Sequence, residues 1–289
     1  MASEPSPVTS SAAYRLLRAP NPGAVVFASP HSGRIYPPEL LARTRLPAQA
    51  LRRGEDRFVD RLLGGVAAMG VPCVLGEIAR AWIDLNRDPA ELDPALFGAV
   101  PPDARASPRV AAGLGVIPRA FAPDGPIYEG QLELDEAPRR IAAVHAPYHS
   151  ALAALLAEAR ARHGYAVLID CHSMPSLGGA RVVVGDLKGK SATAAVSSAV
   201  AAGLNAIGLS VALNDPYAGA YTLERHGRPE AGVHAVQIEI DRALYLDSDR
   251  QTLLPGATHL AANMARFAAD LASRVARLGL AQEWAIAAE

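Results

Sequence analysis

Short apolar runs bounded by proline, glycine or charge alternate along this chain with stretches of helical period. AVVFASP (24–30) is a β-rich run ended by proline, and VPCVLGE (71–77), AWIDL (81–85), YAVLIDCHS (165–173) and ARVVVGD (180–186) read as further strands. HAVQIEI (234–240) alternates with period two, as a strand does. Residues 48–70 carry apolar side chains at helical spacing and stop at Gly70, a C-cap position. Helical patterns also cover 129–163, with breaks expected at Pro138 and Pro147, then 191–207 and 254–278. PPELLARTRLP (37–47) reads as a loop with a short helix. Strands apolar on both faces, alternating with helices, predict an α/β fold: a mixed, mostly parallel central sheet with helices on both faces. In such sheets sites form at the carboxyl ends of strands.

Two stretches lie outside that pattern. Residues 1–12 read as a disordered lead-in to a single α/β domain over 13–289. Residues 88–128 are rich in Pro, Ala and Gly with little periodicity, and a long excursion of this kind in a compact domain serves as a lid or binding loop.

Composition narrows the classes. The chain has 289 residues, half of them hydrophobic, so it can bury a substantial core. The formal net charge is −1 and basic residues do not cluster, which speaks against nucleic acid and for small-molecule partners. Cys73 and Cys171 lie inside apolar runs, as buried free thiols in a reducing compartment do. The first residues, MASEPSPVTSS, lack the features of a signal peptide, and no charge-free apolar run is long enough for a membrane span. A cytoplasmic protein that does not enter membranes is expected; oligomerisation is left open.

Candidate chemistry gathers at strand ends. The first strand runs into His31, the strand at 165–170 into Asp170-Cys171-His172, and the strand at 234–240 carries Gln237 and Glu239. Singly, each has a bland reading: a loop histidine, a short Asp-x-His pattern, a solvent-facing Glu. Together they bring two histidines and carboxylates to one sheet edge. Catalytic zinc sites use three His or carboxylate ligands and leave a position for water. His31 and His172 supply two. Glu55, Asp56 and Asp60, on the next expected helix, offer the third, unless they form a solvated face with Arg52, Arg53, Arg57 and Arg61. Asp56 and Asp60, four apart, share a helix face in that reading. The pair Asn86-Arg87 suits a carboxylate-bearing substrate, since arginine binds carboxylates bidentately; the alternative is a salt bridge from Arg87 to Asp84 or Asp88.

The segments SPHSG, ED-x-x-VDRL, R-x-x-IDLNRD, GVIPR, PYHSAL, IDCHSMP and PEAGVHAVQIEIDRALYLD, in this order from about residue 25 to 250, resemble the N-formylglutamate amidohydrolase family. That family resembles zinc carboxypeptidases and aspartoacylase-type deacylases. The resemblance implies a zinc carboxypeptidase-like fold, one bound Zn²⁺ and release of formate from N-formyl-L-glutamate, late in histidine breakdown. It implies His31 and His172 as metal ligands. The carboxypeptidase His-x-x-Glu pair is absent, because Arg34 stands at its acidic position, so the ED-x-x-VD acid Asp56 takes its place. Glu239 is implied as general base, Asn86 and Arg87 as binders of the α-carboxylate, and Arg80 as the group that polarises the scissile carbonyl. A dicarboxylate substrate calls for a second cation, with Arg119, Arg225 and Arg228 as candidates, and His226 is placed within reach of the substrate.

Two rivals remain at this level. The same site could act on another N-acyl amino acid or on a peptide C-terminus. Residues 185–191, GDLKGKS, follow a strand and open a helix as a phosphate loop does, but three residues separate the glycines instead of four.

Overall fold

The computed structural model of the chain describes residues 8–10, 13–18, 20–249 and 251–281. Its strands are β1 (Val8–Ser10), β2 (Tyr14–Leu17), β3 (Val25–Ser29), β4 (Cys73–Gly76), β5 (Ala120–Phe121), β6 (Gly125–Pro126), β7 (Ala166–Met174), β8 (Val182–Gly185), β9 (Val211–Leu213) and β10 (Val233–Asp241). Eight of them form one sheet in the order β1-β2-β4-β3-β7-β10-β8-β9, and β5 pairs with β6 apart from it. The central strands β4, β3, β7 and β10 are parallel to one another, while β2 and β8 flank them antiparallel. The mixed sheet with a parallel centre matches the pattern read from the sequence.

Helices cover both faces, which is why the central strands are apolar throughout. Phe27, Leu75, Ile169 and Ile238 face one core, shared with the helices Ala194–Ala206 and Gly256–Ala276. Val26, Val74, Leu168 and Ala235 face the other, shared with the helix Ala146–His163. Each such side chain gains about 1.5–3 kcal/mol by leaving water, so the pleat is fixed in register. Side chains alternate along a strand. Asp170 and His172 therefore share the face of Leu168, and Gln237 and Glu239 share that of Ala235. In the β7–β10 pairing Glu239 stands opposite His172 and Gln237 opposite Asp170. Toward the carboxyl ends of two buried strands, apolar packing gives way to four polar side chains.

Several expected elements differ. The helix expected over 48–70 is broken into Ala48–Leu51, a 3-10 turn Arg52–Gly54, Val59–Leu62 and Gly64–Ala68, and it ends at Gly70 with φ +81°. The break centres on Phe58, held at φ +66° with the guanidinium groups of Arg34, Arg57 and Arg61 4.5–5.1 Å from its ring centroid. Arg34 also grips Asp60 with two hydrogen bonds of 2.7 Å. Asp56 is thus thrown out of the helix and shares no helix face with Asp60.

AWIDL (81–85) is not a strand. Trp82 closes a turn on Ala79, and Asp84 donates its amide to Val116 at 2.7 Å; Ile83 and Leu85 are buried by packing, without a sheet partner. The pattern over 129–163 becomes helical at Glu136 and contains a π turn, Ile141–His145, just before Pro147, which cannot donate to the carbonyl four residues back. Val8–Ser10, inside the expected lead-in, pair antiparallel with Leu17–Arg15 as an edge strand. The excursion 88–128 holds only the short helices Pro94–Phe97 and Pro108–Ala111 and the β5–β6 pair.

The Gly-rich turn at 185–191 satisfies itself. Asp186 accepts from the amide of Gly189 at 2.8 Å, from Ser197 Oγ at 2.6 Å and from Asn214 Nδ2 at 2.9 Å. A carboxylate thus sits where a phosphate would need free amides. Cys73 and Cys171 are buried free thiols, and burial pushes the Cys73 thiol up to about 12. Among the described residues no helix is long and apolar enough to cross a membrane.

Candidate metal centre and substrate cavity

His31 follows β3, where the chain must pass very close to its neighbour. A Cβ on Gly33 would lie 2.2 Å from the carbonyl oxygen of Ile78, so only glycine fits. Asp56 donates its amide to the His31 carbonyl at 2.8 Å, which fixes the two residues together. His172 comes from β7. The three side chains form a buried group able to hold a metal ion, their ligand atoms all within 4.8 Å of one another.

Orientation decides what they can do. His31 Nδ1 lies 3.4 Å and His172 Nδ1 2.8 Å from Asp56 Oδ2. At the far side of each ring stands a fully buried carboxylate: Asp84 Oδ1 is 2.7 Å from His31 Nε2, and Asp170 Oδ2 is 3.0 Å from His172 Nε2. With Nε2–H donated to an aspartate, each Nδ1 turns its lone pair to the common point. This carboxylate–histidine arrangement is the support that metal-ligating histidines use. The second oxygen of Asp56 is held by Ser173 Oγ at 3.0 Å and by Arg242 Nη2 at 3.1 Å, so Oδ2 is the one left to ligate. Two imidazoles and a carboxylate suit zinc and similar divalent ions.

The electrostatics agree with the geometry. Burial alone would raise the Asp56 and Asp84 carboxyls, but their histidine and arginine partners hold both well below the usual range. Burial works against a charged His172, yet the Asp170 charge and the hydrogen bonds of Asp170 and Asp56 raise its affinity for a cation well above the ordinary value. A cation at Nδ1 is therefore welcome, be it a proton or a metal ion. Glu239 differs from these acids. It accepts from Gln237 Nε2 at 2.9 Å, and burial pushes its carboxyl up to about 7.

His31, Asp56, His172, Gln237 and Glu239 line one cavity of about 170 Å³ with Arg80, Asn86, Arg87, Arg109, Tyr217 and Arg242. Arg80 is fixed on Asp84 Oδ2 at 2.8 Å. Arg87 donates to the carbonyls of Leu114 and Asn86 at 3.0 and 2.6 Å. Asn86 Oδ1 accepts from the amide of Thr222 at 2.8 Å, which holds its Nδ2 3.2 Å from His172 Nε2.

The remaining expected residues stand elsewhere. Arg119 is tied to Asp93 at 2.7 Å and does not line this cavity. Arg225 donates to the Tyr221 hydroxyl at the surface. His226 is buried against His149, Nε2 to Nδ1 at 3.0 Å. Arg228 donates to the carbonyls of Glu224 and Gly227. The supports Asp84 and Asp170, and the arginines 109 and 242, are what residue-level reading missed. Asp170 had a signal, since a residue two before His172 on a strand shares its face.

A family model described as N-formylglutamate amidohydrolase matches residues 23–246, a span that includes every side chain of this cavity. The chain belongs to the N-formylglutamate amidohydrolase family. Relatives include the N-formylglutamate deformylase of Pseudomonas aeruginosa PAO1, 31% identical over 234 residues that cover 77% of this chain and 82% of that one. The deformylase of Pseudomonas putida is 27% identical over 202 residues, 66% of this chain and 70% of that one. The crystal structure of the N-formylglutamate amidohydrolase from Ralstonia eutropha JMP134 superposes with a TM-score of 0.86 at 30% identity, covering 92% of this chain and 99% of that one.

Proposed function

We propose that this member of the N-formylglutamate amidohydrolase family is a metal-dependent amidohydrolase that converts N-formyl-L-glutamate to formate and glutamate, a late step of histidine breakdown. The observation that carries the reading is the convergence of His31 Nδ1, His172 Nδ1 and Asp56 Oδ2 beside Glu239 in a cavity rich in arginine. Those three atoms would hold the ion, with zinc the favoured metal. When bound, such an ion supplies Lewis acidity for the formyl carbonyl and makes water acidic near neutral pH.

The chain's own residues supply the rest. Glu239, its carboxyl raised to about 7, can take a proton from a water in the cavity and return it to the amine nitrogen as the C–N bond breaks. Arg80, held by Asp84, stabilises charge that develops on the formyl oxygen. Arg87, next to Asn86 and oriented by two backbone carbonyls, binds the α-carboxylate. A cavity of about 170 Å³ suits an amino-acid-sized substrate better than a peptide terminus, since sites for larger ligands run to roughly 300–1,000 Å³.

The test joins metal analysis of the purified protein to a formate-release assay. One divalent ion per chain and formate release from N-formyl-L-glutamate, lost on chelation and restored by zinc, are expected. A protein that carries no divalent metal and releases no formate would sink the reading.

A further inference from the structure

Four arginines line the cavity, and three of them are committed. Arg80 is fixed on Asp84, Arg87 on two backbone carbonyls, and Arg242 on Asp56 and Ser173. Arg109 differs: among the described residues its guanidinium has no hydrogen bond or ion pair, and the residue is exposed at the cavity wall. Its position is nevertheless defined. It lies on the helix Pro108–Ala111, whose Ser107 cap accepts from the Val110 amide at 3.1 Å.

Arg109 and Arg87 face the same space and repel each other. Burial first, and then the nearby charges of Arg80 and Arg109, draw the Arg87 guanidinium down to about 10. An anion between the two guanidiniums would relieve that repulsion. Arg87 and Arg109 also line a smaller neighbouring cavity, whose acids Asp88 and Glu224 are both paired with Arg105, at 3.1 and 3.4 Å.

From this we propose that Arg109 is the specificity-determining residue of the site: it binds the side-chain carboxylate of an N-acyl dicarboxylic amino acid, while Arg87 takes the α-carboxylate. This rests on the reading given under Proposed function. A guanidinium with no internal partner gives up no existing bond to take the ligand, and a charge-assisted bond of this kind favours the carboxylate over its neutral amide by roughly ten- to a hundredfold.

The experiment compares the wild-type protein with Arg109→Gln and Arg109→Lys in two arms. One arm measures kcat/KM for N-formyl-L-glutamate and for N-formyl-L-glutamine, which differ in the terminal carboxylate alone. The other measures calorimetric affinity for glutarate and its monoamide, which needs no turnover. Wild type should prefer the dicarboxylate in both. Arg109→Gln should lose roughly ten- to a hundredfold of that preference, chiefly through KM, with Arg109→Lys in between and the melting temperature unchanged. If Arg109→Gln keeps the wild-type preference, or wild type has none in the binding arm, the proposal is overturned. If neither formyl compound is hydrolysed while Arg109→Gln loses discrimination in binding, the proposed reaction fails and the role of Arg109 stands.

Discussion

Asp84 holds His31 and Arg80 at the same time, through Oδ1 at 2.7 Å from the imidazole and Oδ2 at 2.8 Å from the guanidinium. A single buried carboxylate thus orients one member of the candidate metal centre and a candidate for charge stabilisation. Asp84→Asn keeps the shape and removes the charge. Metal affinity should fall by roughly 10- to 100-fold, as loss of such supports does, read by competition with a chelator of known affinity. An unchanged affinity would remove Asp84 from the metal centre.

Glu239 should separate chemistry from metal holding. In Glu239→Gln the residues His31, Asp56 and His172 are intact, so metal content should be near that of wild type, while kcat should drop by roughly 10²–10⁴-fold. Measured together, near-normal turnover with normal metal content would disqualify Glu239 as the base.

Stability should depend on pH through two buried histidines outside the His31–Asp56–His172 group. Burial draws both His226 and His234 down to about 4, against about 6.5 in an unfolded chain. Between those values the unfolded chain binds protons that the folded chain refuses. Their contribution is therefore full above about 6.5 and is lost as pH falls toward 4, at most roughly 3 kcal/mol each. Thermal melts from pH 7.5 to 4.5 should show this decline, and His234→Gln should decline less steeply than wild type. Parallel curves for the two proteins would contradict the assignment.

Gly33→Ala puts a methyl group 2.2 Å from the Ile78 carbonyl oxygen, and the nearest atoms it meets are all backbone. The strain should cost about 3 kcal/mol, visible as a lower denaturant midpoint, and should displace His31 enough to reduce bound metal. A stable variant with full metal content would mean that the loop after β3 can move aside freely.

The parts legible in the sequence were those governed by burial. Runs such as VLIDCHS must be inner strands, because nothing else covers so many apolar residues on both sides, and His31 and His172 follow from where such runs end. Asp56 was legible as a residue but not in its setting: the helical period over 48–70 persists while Arg34, Arg57 and Arg61 gather around Phe58 and force the chain open. AWIDL misled for a related reason. Ile83 and Leu85 alternate with polar residues because a loop turns them into a core, and periodicity does not distinguish that from a sheet. Arg109 was legible only as part of the 88–128 excursion expected to act as a lid or binding loop, since its stretch has no period and its position depends on how a proline-rich segment returns over the sheet.

His172 on β7 and Glu239 on β10 are joined by the backbone ladder of the sheet, whereas Arg109 rides on the short Pro108–Ala111 helix of an excursion that contributes no strand to it. In the proposed reading, reaction and selectivity are thereby carried by separable pieces of chain. Descendants of this fold could exchange the 88–128 segment and acquire a new preferred amino acid while the hydrolytic machinery stayed as it was.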